Sequence, residues 1–240
     1  MIKKFKNYIG DLETKYLGSR GAFASLVSET AMITSDVLTQ NTCIEMRLLV
    51  DELLDNETLV GKNIWQDQQK SDQRILGFEN YLSPSHFQEL QIQECIQNIQ
   101  DYLGYKVGSW TLMANKVSAK YDGKGSGGGV HRDSAFRHQV KVIWYLSDVS
   151  NENGPFAFKA GSHFDAANET FLNLGKTRCE NVHLDEVVTG SAGTRLVCDT
   201  KCLHGGLPVI SDPRYALTLY TYQKPTGVKR LYSKSGLIYA

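Results

Sequence analysis

Near residue 105 the hydrophobic pattern of the chain changes period, and this change limits the possible folds more than any other feature. Before it, apolar residues recur at helical spacing. In residues 44–54, Met46, Leu49, Val50, Leu53 and Leu54 share one helical face. Ser83-Pro84 reads as an N-cap followed by proline at the first helical position. The helix predicted after it runs to Leu103 through Ile92, Cys95, Ile96 and Ile99, and Gly104 stands where a C-cap belongs. Residues 56–80 are polar and read as loop with a short strand. After residue 107 the pattern becomes short runs rich in Val, Ile, Tyr, Trp and Thr, punctuated by Gly, Asn, Asp or Pro. The predicted strands are 110–121, 138–146, 156–159, 186–188, 194–198 and 215–222. Strands at this spacing, with no helices between them, predict a sandwich or barrel rather than a βαβ array. The expectation is one domain over residues 1–240. Residues 1–105 would be mostly helical support, 106–225 a β core and 226–240 a C-terminal tail.

Composition excludes several classes. The chain has 240 residues, 26 basic and 26 acidic, so its formal net charge is zero. A general nucleic-acid binder would carry a basic excess, so no nucleic-acid partner is expected. No run approaches 18 apolar residues, so no membrane partner is expected either. The lysines near the start have no apolar stretch behind them, unlike a signal peptide. The five cysteines are an odd number and fit free thiols in a reducing compartment; the expected location is cytoplasmic. Cys198, Cys202 and His204 have C-x3-C-x-H spacing, which is not a usual zinc spacing and lacks a fourth ligand. Residues 123–129 match G-x-G-x-x-G, but they lead into Val130-His131-Arg132-Asp133 rather than a helix, so they read as a loop between strands.

His131, Asp133 and His204 carry the most chemical information. In an extended segment, positions i and i+2 point to the same face, so an imidazole and a carboxylate of His131-Arg132-Asp133 can converge on one ion. His204, at a tight Gly205-Gly206 turn, would complete a 2-His-1-carboxylate set that leaves open positions on Fe(II). Arg214 shares a strand face with Ala216, Thr218 and Tyr220, and its planar fork suits a carboxylate. Each part has an ordinary reading. H-x-D alone is a chance match in many proteins. His86, His138, His163 and His183 read as surface or satisfied core residues, though any of them could replace His204. Arg214 alone reads as a salt-bridged strand residue. The ordered combination on β-type segments is the specific signal.

The segments His131-Arg132-Asp133, Trp144-Tyr145-Leu146-Ser147-Asp148-Val149, Asn153-Gly154-Pro155, Ala160-Gly161-Ser162-His163, His204-Gly205 and Arg214 together resemble the phytanoyl-CoA dioxygenase family. The similarity covers roughly residues 110–225; Ala160 departs from the proline usual at its position. The resemblance implies a mainly β fold with flanking helices: a double-stranded β-helix, or jelly roll, under an N-terminal helical layer. It implies that His131, Asp133 and His204 bind Fe(II), and that Arg214 pairs with the far carboxylate of the co-substrate 2-oxoglutarate. Trp144 would line the co-substrate pocket, with Ser118 and Thr218 as polar contacts, and His163 would hold a loop by hydrogen bonding. The implied activity consumes O2 and 2-oxoglutarate, releases succinate and CO2, and hydroxylates or desaturates a small-molecule or biosynthetic-intermediate substrate. Arg132, Arg137 and Lys141 could meet an anionic substrate or be a solvated strand face. A metal-dependent hydrolase or isomerase, or a ligand-binding module, on the same architecture is the alternative. Such a protein would not need Arg214.

Overall fold

The computed structural model describes residues 2–119, 125–164, 177–179 and 181–239. Ten strands and six α-helices lie in these segments. The strands are β1 (Ala31–Thr34), β2 (Ile64–Gln66), β3 (Asp72–Leu76), β4 (Ser109–Val117), β5 (Val140–Tyr145), β6 (Phe156–Phe158), β7 (Glu186–Val188), β8 (Arg195–Asp199), β9 (His204–Gly206) and β10 (Arg214–Tyr222). The helices are α1 (Ile2–Leu12), α2 (Leu26–Glu29), α3 (Gln40–Leu54), α4 (Pro84–Leu90), α5 (Ile92–Leu103) and α6 (Gly227–Lys234). A seven-stranded sheet has the order β1-β8-β5-β10-β4-β3-β2, and a three-stranded sheet has the order β7-β6-β9. All pairings between these strands are antiparallel, and neither sheet closes on itself. This is the jelly-roll core with flanking helices that the family resemblance implies, and it fits the sandwich or barrel that the strand pattern predicts.

Strand alternation sorts the side chains between two layers. On β5, Val140, Val142 and Trp144 pack with Met46 and Val50 of α3 and with Ile96 and Ile99 of α5. The intervening Ile143 and Tyr145 pack with Phe156, Phe158 and Val188 from the smaller sheet. Helices α3 and α5 therefore cover one face of the large sheet, and the opposite face looks into the space between the sheets. Burying this many aliphatic and aromatic side chains, at roughly 1.5–3 kcal/mol each, drives the sandwich together.

The N-terminal half contributes more to the sheet than its helical periodicity predicts. β1 adds to β8, and β2 and β3 extend the sheet beyond β4. The first two are too short to show a period. β3 begins Asp72-Gln73-Arg74, so its polar residues conceal it; Asp72 is nonetheless buried and paired with Arg74. The long helix predicted after Ser83 is two helices, broken at Gln91, whose φ is 52°. Ser83 caps the first, accepting from the His86 N–H at 3.3 Å. Gly104 closes the second at φ 77°, where a Cβ would sit 2.8 Å from the Gly18 nitrogen. Residues 226–240 are more than a tail. Val228 and Tyr232 of α6 pack on Leu76 and Met113 of the sheet.

Candidate active site

Two backbone hydrogen bonds place the metal-ligand candidates. His131 N–H donates to the His204 carbonyl at 2.9 Å, and His204 N–H returns a bond to the His131 carbonyl at 2.9 Å. The two histidines are thus directly opposed, like a closely bonded antiparallel pair. Asp133 N–H donates to the Thr200 carbonyl at 3.0 Å, which fixes the carboxylate beside them. His131 Nε2 lies 3.8 Å from Asp133 Oδ1, and His204 Nε2 lies 3.7 Å from Asp133 Oδ2. One donor atom from each residue falls within 4.8 Å of the other two.

The donors are also in the right chemical state. Each imidazole gives its Nδ1–H to a carbonyl, His131 to Gly129 at 2.9 Å and His204 to Cys202 at 3.1 Å. These bonds set the tautomer and leave each Nε2 lone pair for a cation. Burial lowers the His204 pKa to about 4 and also lowers that of His131. Burial alone would raise the Asp133 pKa, but Lys141 and His204 outweigh it and hold the carboxyl well below the usual carboxylate range. At neutral pH the site therefore offers two neutral imidazoles and one carboxylate. That donor set suits a divalent transition metal with open coordination positions.

The other histidines are occupied elsewhere. His163 sits between the Thr30 hydroxyl at 3.1 Å and the Leu26 carbonyl at 2.7 Å, so it ties a loop, as the sequence suggests. His138 lies between Asp11 and Asp199, His86 pairs with Glu45, and His183 is exposed. The thiols of Cys198 and Cys202 are buried 3.8 Å apart, and among the described residues they join no metal-binding cluster.

The site opens into a cavity of about 620 Å³ between the sheets. Arg214, Ala216, Thr218 and Tyr220 all line it, on the shared face that β10 alternation predicts. Arg214 is buried at the start of β10. One Nη donates to the Gly154 carbonyl, its Nε has no hydrogen-bond partner, and no carboxylate pairs with it among the described residues. A buried guanidinium without a counter-ion is costly, so this is where an anionic ligand would be stabilised.

Two of the predicted co-substrate contacts lie elsewhere. Trp144 is fully buried in the helix-facing core, with Ile143 and Tyr145 on its two sides facing the cavity. A one-residue shift of parity puts a side chain on the opposite face of a sheet. Ser118 lies just beyond β4, where its N–H donates to the Ser71 carbonyl at 2.8 Å; the β4 residues that face the cavity are Met113 and Asn115.

Lys141 has a role that composition did not reveal. It is buried, its Nζ lies 2.7 Å from Asp133 Oδ2, and it sits over the Tyr220 ring. Arg132 instead donates to the Ser162 and Lys201 carbonyls at 2.6 Å each, and exposed Arg137 donates to Gln223 at 2.8 Å. Lys141 therefore acts as the counter-ion that holds the Asp133 carboxylate when no metal does. Lys141→Met should strand that carboxylate, lowering the stability of the metal-free protein by about 3–5 kcal/mol. A divalent metal should restore most of the loss, so the metal-induced rise in melting temperature should be larger in the variant than in the parent. Equal rises in thermal melts with and without metal would contradict this role.

Fold and donor set together define the class of non-haem iron, 2-oxoglutarate-dependent oxygenase folds. The SnoN epimerase of nogalamycin biosynthesis, described as non-haem and α-ketoglutarate-dependent, is 18% identical, with a TM-score of 0.60 over 87% of this chain and 86% of that one. The SnoK carbocyclase of the same biosynthesis is 16% identical, with a TM-score of 0.59 over 88% of this chain and 89% of that one. A Pseudomonas putida prolyl-4-hydroxylase is 14% identical, with a TM-score of 0.52 over 83% and 96%. No curated protein sequence gives a significant match. The chain belongs to the phytanoyl-CoA dioxygenase family, whose sequence profile matches residues 31–215. This family consists of oxidoreductases that depend on iron and 2-oxoglutarate and use O2.

Proposed function

We propose that the protein is an Fe(II)- and 2-oxoglutarate-dependent dioxygenase that hydroxylates or desaturates a small molecule, releasing succinate and CO2. The observation that carries this reading is one cavity holding both a metal-ready His131-Asp133-His204 set and the buried, unpaired Arg214. His131, Asp133 and His204 would hold the iron. Bound iron supplies the oxygen and one-electron chemistry that side chains lack. Arg214 binds the far carboxylate of 2-oxoglutarate through its free N–H groups, with the Thr218 hydroxyl on the same face. Ile143, Phe156 and Ala216 give the cavity apolar walls that exclude water from the reacting groups. Its volume, about 620 Å³, is in the range of small-molecule sites, roughly 300–1,000 Å³. A hydrolase or isomerase needs the metal but gives Arg214 no task.

The epimerase and carbocyclase among the similar structures give a reason to read the product as well as the turnover. Anaerobic addition of Fe(II) and then 2-oxoglutarate should produce a visible charge-transfer absorption that needs both. Admitting O2 should then convert 2-oxoglutarate to succinate. Absence of both signals would overturn the reading. Once a substrate is found, a mass gain of one oxygen marks hydroxylation, and a loss of two hydrogens marks desaturation or ring closure.

A further inference from the structure

Helix α1 is amphipathic, but it docks by its polar side. At 100° per residue, Ile2, Phe5, Tyr8, Ile9 and Leu12 fall in one arc of about 120°. That arc faces outward: Ile2 is 74% exposed, Phe5 64% and Tyr8 59%. The opposite side holds Asn7, Gly10 and Asp11. Asn7 is buried, and a Cβ on Gly10 would lie 2.1 Å from the Phe136 carbonyl oxygen, so only glycine allows this approach. Asp11 accepts from His138 Nε2 at 3.0 Å and pairs with Lys201. His138 bonds in turn to Asp199, which also accepts from the Tyr102 hydroxyl at 2.7 Å. The helix is thus locked to the sheet with its apolar arc turned to solvent.

Charge indicates what covers that arc. Exposed Lys4 and Lys6 border it on either side, Lys3 falls on the opposite side between Asn7 and Gly10, and no acidic residue precedes Asp11. The chain as a whole has no net charge, so this basic edge is local. We propose that the outward face of α1 docks onto an anionic lipid bilayer surface. Ile2, Phe5 and Ile9 would enter the headgroup–acyl boundary, Tyr8 would sit at the interface, and Lys6 would reach the lipid phosphates. Composition predicts no membrane partner, but that reasoning concerns spanning segments, and no helix among the described residues is long and apolar enough to cross a membrane. A second copy of the chain fits the face less well. An 11-residue helix offers a strip roughly 16 Å by 10 Å, small beside the roughly 800 Å² per partner of a stable dimer. Pairing two such strips would also bring lysines together.

The test uses the full chain with vesicles of phosphatidylcholine, alone or mixed with phosphatidylglycerol. The protein should sediment with the mixed vesicles, much less with phosphatidylcholine alone, and less again as salt rises. Phe5→Glu combined with Ile9→Glu should weaken vesicle binding at least tenfold while leaving circular dichroism and the melting temperature unchanged. In an otherwise intact chain, Tyr8→Trp should add an emission that shifts to the blue on the mixed vesicles, which reads insertion without disturbing the face. Absence of sedimentation with either vesicle would overturn the proposal. So would binding that survives Phe5→Glu/Ile9→Glu, or a concentration-dependent dimer in sedimentation velocity that the same substitutions dissolve.

Discussion

His204→Ala is expected to remove iron binding and turnover together while leaving the fold intact. Only three protein donors converge on the site among the described residues, so losing one leaves His131 and Asp133 to hold the cation by themselves. Removing an outer partner of a metal ligand typically costs about 10–100-fold in affinity or activity, and removing a ligand should exceed that. The His204 ring makes one side-chain hydrogen bond, to the Cys202 carbonyl, so its truncation strands little else. Asp133→Ala should lose the metal equally but cost more stability, because it also leaves buried Lys141 without its counter-ion. His163→Ala is the useful contrast. It should keep its affinity for Fe(II) and lose melting temperature, since it leaves the Thr30 and Leu26 partners unsatisfied. Calorimetric titration with Fe(II) under anaerobic conditions distinguishes these outcomes. Full Fe(II) affinity in His204→Ala, with loss in His163→Ala or His183→Ala, would reassign the third ligand.

Much of this site can be read in the sequence because the signal is local. An H-x-D on an extended segment and a histidine at a strand end need only period-2 geometry to converge. β10 is long enough for its alternation to place Arg214 and Thr218 on one face. Errors enter where the answer depends on register between strands. Ala216 pairs with Tyr145 and Thr218 with Ile143, so Tyr145 and Ile143 share the cavity and Trp144, between them, turns to the helices. Nothing within 140–146 settles that parity, because β5 is buried on both faces and its pattern is nearly continuous. Lys141 illustrates the same point. Its charge suggests solvent or an anionic substrate, and only the register that sets it against Asp133 reveals a counter-ion. The N-terminal strands escape notice for a different reason: β1 and β2 are only three or four residues long, and β1 pairs with β8, far away in sequence.

Arg214→Ala is expected to separate co-substrate binding from metal binding. Among the described residues the guanidinium makes no hydrogen bond or ion pair with His131, Asp133 or His204, so Fe(II) affinity should be unchanged. The affinity for 2-oxoglutarate should fall by about 2–5 kcal/mol, roughly 30- to 4,000-fold, because a buried carboxylate loses a charged, fork-shaped partner. Arg214→Lys should recover only part of this, since one ammonium cannot reproduce two parallel N–H bonds. Stability supplies an independent check with a distinctive sign. In the free protein Arg214 is a buried cation whose Nε is unsatisfied, and burial lowers its pKa. Replacing such a group with an apolar side chain of similar length is often neutral or stabilising. Arg214→Met should therefore melt close to the parent, or above it, without 2-oxoglutarate, losing only its bond to the Gly154 carbonyl, about 1 kcal/mol. The parent should gain melting temperature when 2-oxoglutarate and metal are added together, and the variant should gain only the part due to metal. An unchanged 2-oxoglutarate affinity in Arg214→Ala, or an equal co-substrate gain in Arg214→Met, would place the far carboxylate on another cavity cation, such as Arg74 on β3, and leave Arg214 a structural role.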